Sequence, residues 1–316
     1  MFQANPLLFP PDMPFHLNAI SRREFIRRSA AAGISLAVFP SLRAAESKAD
    51  PNHWALLSDT HIAADPTLVK LDTNMADHLR NAVAEVAALA TPPQGVLVNG
   101  DCAVNQGLAA DYATFAMLLK PLGDANLPTH LTLGNHDNRQ TFWASLKDAR
   151  PVNPPLASRQ VAIIESPHAN WFMLDSLDVT NQTPGKLGDE QRGWLASALD
   201  SRKDKPALVV VHHNPLLTAD EKKTGLLDTA ELIEILKPRL YVKALFFGHT
   251  HTWRLTQLDG LHLVNLPAVA YPFNPAEVTG WVDCHLKPDG VSLELRAHDK
   301  THAAHGKVSE LSWRTA

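Results

Sequence analysis

The sequence is poor in cysteine and tyrosine and contains no long hydrophobic run. Of its 316 residues, two are cysteine and three are tyrosine. Cys102 and Cys284 are too few for a disulfide framework or a cysteine-rich zinc site, and their wide separation along the chain favours two buried thiols over one bridge. No segment approaches the about 20 apolar residues that cross a bilayer, so we predict no stable membrane span.

Neither sign of charge dominates. The net charge is -4 with neutral histidines and the pI is about 6.5, which predicts no nucleic-acid patch and no general affinity for anionic membranes. The sequence also lacks a Gly-x-Ser-x-Gly elbow and a P-loop, which argues against a serine hydrolase and a P-loop enzyme. What it has instead is histidine, 16 in all, together with the 45% apolar content of a globular protein.

The N-terminal segment has the pattern of an export signal. The paired arginines Arg22 and Arg23 precede a short apolar run, residues 30–39, and the small residues Ala44 and Ala45 follow it. This order resembles a twin-arginine signal, which directs proteins to an export route that carries them already folded. We therefore predict a signal peptide over residues 1–45, contact with the twin-arginine export machinery, and a periplasmic or secreted protein. A basic amphipathic N-terminal helix is the alternative interpretation, and Met13 is an alternative start.

The rest of the chain, residues 46–316, is predicted to form one α/β domain. Short apolar runs alternate with segments of helical periodicity up to about residue 254, and antiparallel strands are expected beyond it. The predicted strands are Trp54–Leu57, Val96–Val98, His130–Leu133, Val161–Ile164, Trp171–Leu174, Leu208–Val211, Ala244–Phe247, Leu261–Leu266, Trp281–Leu286 and Val291–Ala297. The predicted helices cover roughly 75–89, 112–122, 189–199 and 228–236, the last with Asp228 as its capping residue.

Five polar clusters follow five of these apolar strands directly. They are Asp59-Thr-His61, Gly100-Asp101, Gly134-Asn-His-Asp137, His212-His213 and Gly248-His-Thr-His251. Loops that leave the carboxyl ends of parallel strands gather at one edge of a sheet, where ligands bind. One such cluster alone would carry little information, but the ordered set of five predicts a single site rich in imidazole, carboxylate and amide groups.

This ordered set resembles the signature of calcineurin-like metallophosphoesterases, over roughly residues 52–275. The stretches 107–112 and 185–194 look most like the bacterial class III cyclic-nucleotide phosphodiesterase branch. The resemblance implies a four-layer α/β/β/α sandwich with mixed sheets, and it is compatible with a homodimer. Purple acid phosphatases carry a tyrosine three residues after the bridging aspartate. Val104 stands there in this chain, which argues against that subgroup.

The resemblance also implies two metal ions. Asp59, His61, Asp101 and His251 would hold the first ion, and Asp101 would bridge to a second ion completed by Asn135, His212 and His249. Mixed nitrogen and oxygen ligands suit iron, manganese or zinc and not calcium. Two such ions would lower the pKa of a shared water, supply a hydroxide and neutralise a phosphate ester as it is hydrolysed. The substrate would be a small phosphate ester.

Several assignments stay open at this point. His213 is the alternative to His212 as a ligand. In the family the histidine at His136 contacts the phosphate and protonates the leaving oxygen, and Asp137 could orient it. Arg139 could touch a phosphate or be a solvated loop residue. The substrate could be a cyclic nucleotide, a glycerophosphodiester or a phosphomonoester. A non-catalytic scaffold on the same fold is the competing function, and it is disfavoured because every ligand position holds a competent residue.

Overall fold

The computed structural model describes residues 49–150, 153–218 and 220–315. The predicted signal peptide, with Arg22 and Arg23, lies outside these residues. No helix among the described residues is both long and apolar enough to span a bilayer.

Short strands and helices alternate along the described chain. The strands are β1 (Asp50–Ser58), β2 (Val69–Lys70), β3 (Thr73–Asn74), β4 (Pro93–Asn99), β5 (Thr129–Thr132), β6 (Ala162–Glu165), β7 (Asn170–Met173), β8 (Ala207–Val210), β9 (Val242–Phe247), β10 (Arg254–Leu258), β11 (Leu261–Asn265), β12 (Gly280–Lys287), β13 (Gly290–Ala297) and β14 (Val308–Ser312). The α-helices are α1 (Met75–Ala87), α2 (Ala109–Asp124), α3 (Arg139–Ser145), α4 (Gly188–Asp200) and α5 (Thr229–Leu236).

Two six-stranded mixed sheets form the centre of the fold. The first has the order β14-β13-β12-β1-β4-β5, in which β1, β4 and β5 are parallel. The second has the order β10-β11-β9-β8-β7-β6, in which β7, β8, β9 and β11 are parallel. The parallel strands occupy one side of the first sheet, where β5 is the edge strand, and the middle of the second sheet. In each sheet their carboxyl ends form one edge from which the polar loops leave.

The side chains of β1 show why the sheets pack face to face. Trp54 and Leu56 belong to the apolar cluster shared by the two sheets, and the Trp54 ring lies 5.9 Å from that of Trp171 in the second sheet. Ala55 and Leu57 point the other way, into the cluster formed with α1, α2 and α3. A third cluster packs α4 and α5 on the outer face of the second sheet. The four layers are therefore helix, sheet, sheet, helix, which confirms the predicted fold class.

The elements that sequence reasoning missed are short or half exposed. The hairpin β2–β3 has two residues in each strand, and α3 has only seven residues. The edge strands β10 and β14 have only exposed and half-buried positions. Such segments bury too few apolar side chains to leave a clear period. The prediction of antiparallel strands beyond residue 254 is wrong for one strand pair, because β11 runs parallel to its neighbour β9.

Asp228 is the N-cap residue of α5, as predicted, but its carboxylate makes no capping hydrogen bond to that helix. It accepts instead from the backbone amides of Leu187 and Gly188 at the start of α4, at 3.0 and 2.8 Å, and pairs with Arg192. The residue therefore caps a helix distant in sequence, and only the packing of α4 beside α5 decides this.

Candidate metal centre

The five polar clusters meet at the carboxyl edges of both sheets. The loops after β1, β4 and β5 carry Asp59 and His61, Asp101, and residues 134–137 from the first sheet. The loops after β8 and β9 carry His212, His213, His249 and His251 from the second. A side-chain hydrogen bond joins the two sheets beside this edge, since the Asn99 amide donates to the Val211 carbonyl oxygen at 3.0 Å.

Five of the seven predicted ligands have left-handed backbone conformations. Asp59, His61, Asp101, His249 and His251 all have positive φ, between 47° and 69°. Each such non-glycine residue costs on the order of 1 kcal/mol and persists only where the surroundings impose it. Sharp left-handed turns aim these side chains back across the ends of the strands. Strain concentrated on these five residues is typical of a functional site.

Glycines leave the space that these turns need. A Cβ atom added to Gly134 would collide with the carboxylate and backbone amide of Asp101. One added to Gly248 would collide with the side chains of Ser58 and Asp59. The glycines in two of the predicted clusters are therefore required by close approach.

One group of predicted ligand atoms comes from Asp59, His61 and His251. The Nε2 atoms of His61 and His251 are 3.0 Å apart, and His251 Nε2 lies 3.4 Å from Asp59 Oδ1. All three side chains are buried. The Tyr271 carbonyl oxygen accepts from His251 Nδ1 at 2.5 Å, which turns Nε2 toward the carboxylate.

Asp101 lies between this group and a second one. Its Oδ2 is 3.6 Å from His61 Nε2 and 3.4 Å from His212 Nε2. The Asn99 carbonyl oxygen contacts His212 Nδ1 at 2.9 Å and leaves Nε2 directed at the carboxylates. This central position is the one that a carboxylate shared by two ions requires, so the geometry supports the predicted bridging role.

The second group is completed by histidines from the second sheet. The rings of His212 and His249 are 5.2 Å apart, and those of His213 and His249 are 4.7 Å apart. His213 Nδ1 pairs with the Ser176 hydroxyl at 2.7 Å. His213 thus borders the centre, but His212 approaches the Asp101 and Asp59 carboxylates directly, which favours His212 as the ligand.

Unpaired polar atoms indicate that the centre is built for cations. His212 Nε2 and the side-chain oxygen of Asn135 are buried without a hydrogen-bond partner among the described residues. Two imidazole nitrogens facing each other at 3.0 Å, beside two buried carboxylates, are likewise better explained by an ion than by mutual hydrogen bonding. The donor set therefore fits a binuclear metal site.

The charges of the centre depend strongly on one another. Burial alone would raise the pKa of Asp59, yet the His212 and His251 imidazoles outweigh it and lower that pKa to about 2. Burial alone would lower the pKa of His212, but Asp101 and Asp59 raise it to about 10. The carboxylates of Asp59 and Asp101 therefore favour a positive charge at this position.

His136 lies at the rim, where a substrate can reach it. Its backbone amide donates to Asp101 Oδ1 at 2.8 Å, and its ring stands edge-on to that of His61 at 5.2 Å. The Asn105 carbonyl oxygen contacts His136 Nδ1 at 3.0 Å, which leaves Nε2 free to act on a ligand.

The expected orientation of His136 by Asp137 is wrong. The Asp137 carboxylate is fully buried and accepts hydrogen bonds from the backbone amides of Cys102, Ala103 and Gly134 and from the Tyr112 hydroxyl, at 2.9–3.2 Å. Burial and, to a smaller extent, repulsion from Asp101 raise the pKa of Asp137 to about 7. Asp137 therefore ties the loops after β4 and β5 together.

Arg139 fits neither of its predicted roles. Its guanidinium makes a bidentate pair with the buried Asp175, at 2.7 and 3.0 Å, and also donates to the Leu177 carbonyl oxygen. A guanidinium engaged in this way is unavailable to a phosphate and is not a solvated loop group. Cys102 and Cys284 are buried free thiols, as predicted.

A cavity of about 480 Å³ opens onto the centre. Besides predicted ligands and His136, it is lined by residues to which the sequence analysis gave no individual role, namely Asn181, Thr183, Asn214, Thr224, Thr250 and Phe273. They lie on loops with no periodic pattern. The available signals were the position of Asn214, directly after the His212-His213 pair, and that of Thr250, between His249 and His251.

Comparison with known proteins agrees with this geometry. Residues 54–253 match the calcineurin-like phosphoesterase family. The chain is 26% identical over 244 residues to the 3′,5′-cyclic adenosine monophosphate phosphodiesterase CpdA of Haemophilus influenzae, covering 74% of this chain and 85% of the relative. It is also 26% identical over 223 residues to the glycerophosphodiester phosphodiesterase GpdQ of Enterobacter lignolyticus, covering 69% and 77%.

Solved structures share the fold. A dimetal phosphatase from Danio rerio superimposes with a TM-score of 0.67 at 16% identity, over 84% of this chain and all of that one. A purple acid phosphatase from yellow lupin does so with a TM-score of 0.57 at 14% identity, over 82% and 52%. At this identity the likeness concerns the fold alone.

Proposed function

Because this chain belongs to the calcineurin-like phosphoesterase family, we propose that it hydrolyses phosphodiesters at the binuclear centre between its two sheets. The observation that carries the proposal is the position of Asp101, within 3.6 Å of ligand nitrogens from both groups. The relatives named for cyclic-nucleotide and glycerophosphodiester phosphodiesterase activity support a diester over a monoester.

Different residues of this chain would hold the ions, bind the phosphate and supply the proton. Asp59, His61, Asp101 and His251 would hold one ion, and Asp101, Asn135, His212 and His249 the other. When bound, two such ions activate a shared water and neutralise charge on the phosphate oxygens. His136 Nε2, held by the Asn105 carbonyl oxygen through Nδ1, binds the phosphate and delivers a proton to the leaving oxygen. The mixed donors favour iron, manganese or zinc.

A substrate panel tests this function. The protein, reconstituted in turn with iron, manganese and zinc, is assayed on bis-p-nitrophenyl phosphate, p-nitrophenyl phosphate, 3′,5′-cyclic AMP and glycerophosphoethanolamine. We expect kcat/KM for at least one natural diester to exceed that for the monoester at least tenfold.

Matched aspartate variants provide the control. Asp101→Asn removes the central carboxylate and should abolish turnover and metal binding, whereas Asp124→Asn alters an exposed pair with Lys120 and should do neither. A preparation that binds the metals but prefers the monoester would contradict the diesterase assignment. A preparation that binds no transition metal would contradict the whole proposal.

We also propose that the protein is exported folded through the twin-arginine route, on the basis of Arg22, Arg23 and the apolar run behind them. Replacing both arginines by lysine should retain the full-length precursor inside the cell, as measured by fractionation and immunoblotting. Unchanged export of the double variant would refute this localisation.

A further inference from the structure

Phe273 is an aromatic side chain left open to solvent at the mouth of the cavity. It is 60% exposed, and no other phenylalanine, tyrosine or tryptophan of the described residues is exposed to that degree. Aromatic rings usually bury their large apolar surface. An exposed ring that lines a cavity beside a metal centre therefore suggests a ligand that covers it.

The ring is held in a defined orientation. One face stacks on the His251 imidazole, with centroids 4.0 Å apart and planes inclined by 18°, and the Tyr271 ring meets it edge-on at 5.9 Å. His251 is itself fixed by the Tyr271 carbonyl oxygen. With one face covered by a buried histidine, the accessible part of Phe273 forms a rigid apolar platform next to the place where the phosphate would bind.

Apart from Phe273, His136 and the predicted metal ligands, the lining of the cavity is polar and uncharged. Asn181, Thr183, Asn214 and Thr224 supply amide and hydroxyl groups. The side-chain oxygen of Asn214 is buried and finds no hydrogen-bond partner among the described residues. A flat platform combined with an unpartnered amide oxygen and neighbouring hydroxyl groups suits a planar ring that carries polar groups on its edge. A glycerol group has no face to stack.

We propose that Phe273 determines specificity by stacking on the heteroaromatic base of a nucleotide diester whose phosphate lies on the metal centre. The inference rests on the proposed phosphodiesterase function and deepens it, since it selects nucleotides over glycerophosphodiesters. Stacking of a base on an aromatic side chain is independent of the base's identity, so the platform recognises nucleotides as a class.

The test compares two ligands on three proteins, each loaded with metal. Wild type, Phe273→Ala and Phe273→Trp are assayed on 3′,5′-cyclic AMP and on glycerophosphoethanolamine. We expect Phe273→Ala to raise KM for cyclic AMP about 5- to 100-fold with little change in kcat. The ratio of kcat/KM for the two substrates should fall correspondingly. Phe273→Trp should restore it, because the larger ring still stacks.

A control variant and a metal measurement separate stacking from structural damage. Met117→Ala removes another exposed apolar side chain, on α2, and should leave both KM values as in wild type. Loss of metal from Phe273→Ala would mean that the ring acts only by supporting His251, and would overturn the inference. An equal loss on both substrates, or no change in KM for cyclic AMP, would overturn it too.

Equilibrium binding distinguishes this inference from the proposed function. 5′-AMP and glycerol 3-phosphate are titrated calorimetrically into the same three proteins, without turnover. Weaker binding of AMP alone to Phe273→Ala would support stacking even if no diester were hydrolysed, in which case only the catalytic proposal fails. Diester hydrolysis with equal binding of AMP by all three proteins would overturn stacking and leave the catalytic proposal intact.

Discussion

At the scale of single residues, the centre depends on side chains whose backbone conformation and burial are imposed by their surroundings. Five predicted ligands occupy left-handed backbone, and two carboxylates are buried beside three imidazoles. Hydrogen bonds from Nδ1 to neighbouring carbonyl oxygens direct the Nε2 atoms of His136, His212 and His251 towards the centre. The residue types were readable from the sequence, whereas these orientations were not, because their partners lie on other loops.

The first prediction concerns His136. Replacing it with alanine removes the proposed proton donor but keeps the backbone amide that donates to Asp101. Turnover should fall about 10²- to 10⁴-fold, while the metal content, measured by mass spectrometry, should stay at two ions per chain.

His168→Ala is the matched control, since His168 lies on the turn between β6 and β7, away from the lining of the cavity. It should leave turnover unchanged. If His136→Ala lost both metals together, His136 would be a structural support of the centre and not a donor.

At the scale of elements, the pairing of β1 with β12 carries a charged network at the end away from the centre. His53 lies opposite His285, and both contact Asp283 Oδ1, at 2.5 and 3.4 Å. Arg296 holds the other carboxylate oxygen at 2.9 Å. Burial alone would raise the pKa of Asp283, but the two histidines and Arg296 outweigh it and hold that pKa well below its usual value.

The second prediction uses this network. Because the folded-state pKa of Asp283 is depressed, its ionised form stabilises the fold above pH of about 4, and that contribution is lost as pH falls further. Asp283→Asn should lower the free energy of unfolding by about 2 kcal/mol at pH 7. The difference from wild type should shrink as pH falls from about 4 towards 2, as measured by urea denaturation.

Asp124→Asn serves again as a comparison, because its pair with Lys120 is exposed and contributes at most about 0.5 kcal/mol. A difference between Asp283→Asn and wild type that stayed constant down to pH 2 would show that the Asp283 charge does not stabilise the strand pairing.

At the scale of the whole molecule, the centre joins the two sheets. Asp59, His61, Asp101 and Asn135 come from the first sheet, and His212, His249 and His251 from the second. Ions bound between them would link the sheets in addition to the apolar cluster around Trp54 and Trp171. Ligands that bind only the folded state stabilise it by mass action.

The third prediction is therefore a dependence of stability on metal. Treatment with a chelator should lower the unfolding temperature by roughly 5–10 °C. A free ion at about 100 times its Kd adds about 2.7 kcal/mol to the free energy of unfolding, and removing it reverses that gain. Manganese or zinc should restore the unfolding temperature, measured by circular dichroism, and calcium should not. An unfolding temperature indifferent to chelation and to added manganese would show that no ion bridges the sheets.

The sequence and its resemblance to a known family predicted the layered α/β fold, most strand positions and the residues that meet at the candidate metal centre. These predictions were possible because buried strands leave apolar runs, and because metal-dependent chemistry requires particular residue types at their ends. Four contacts could be established only from the folded chain: Asp137 links two loops, Arg139 pairs with Asp175, Asp228 caps α4 and Phe273 lines the cavity. These contacts join segments that are distant in sequence or lie on irregular loops, and their geometry follows from how the two sheets and their helices pack.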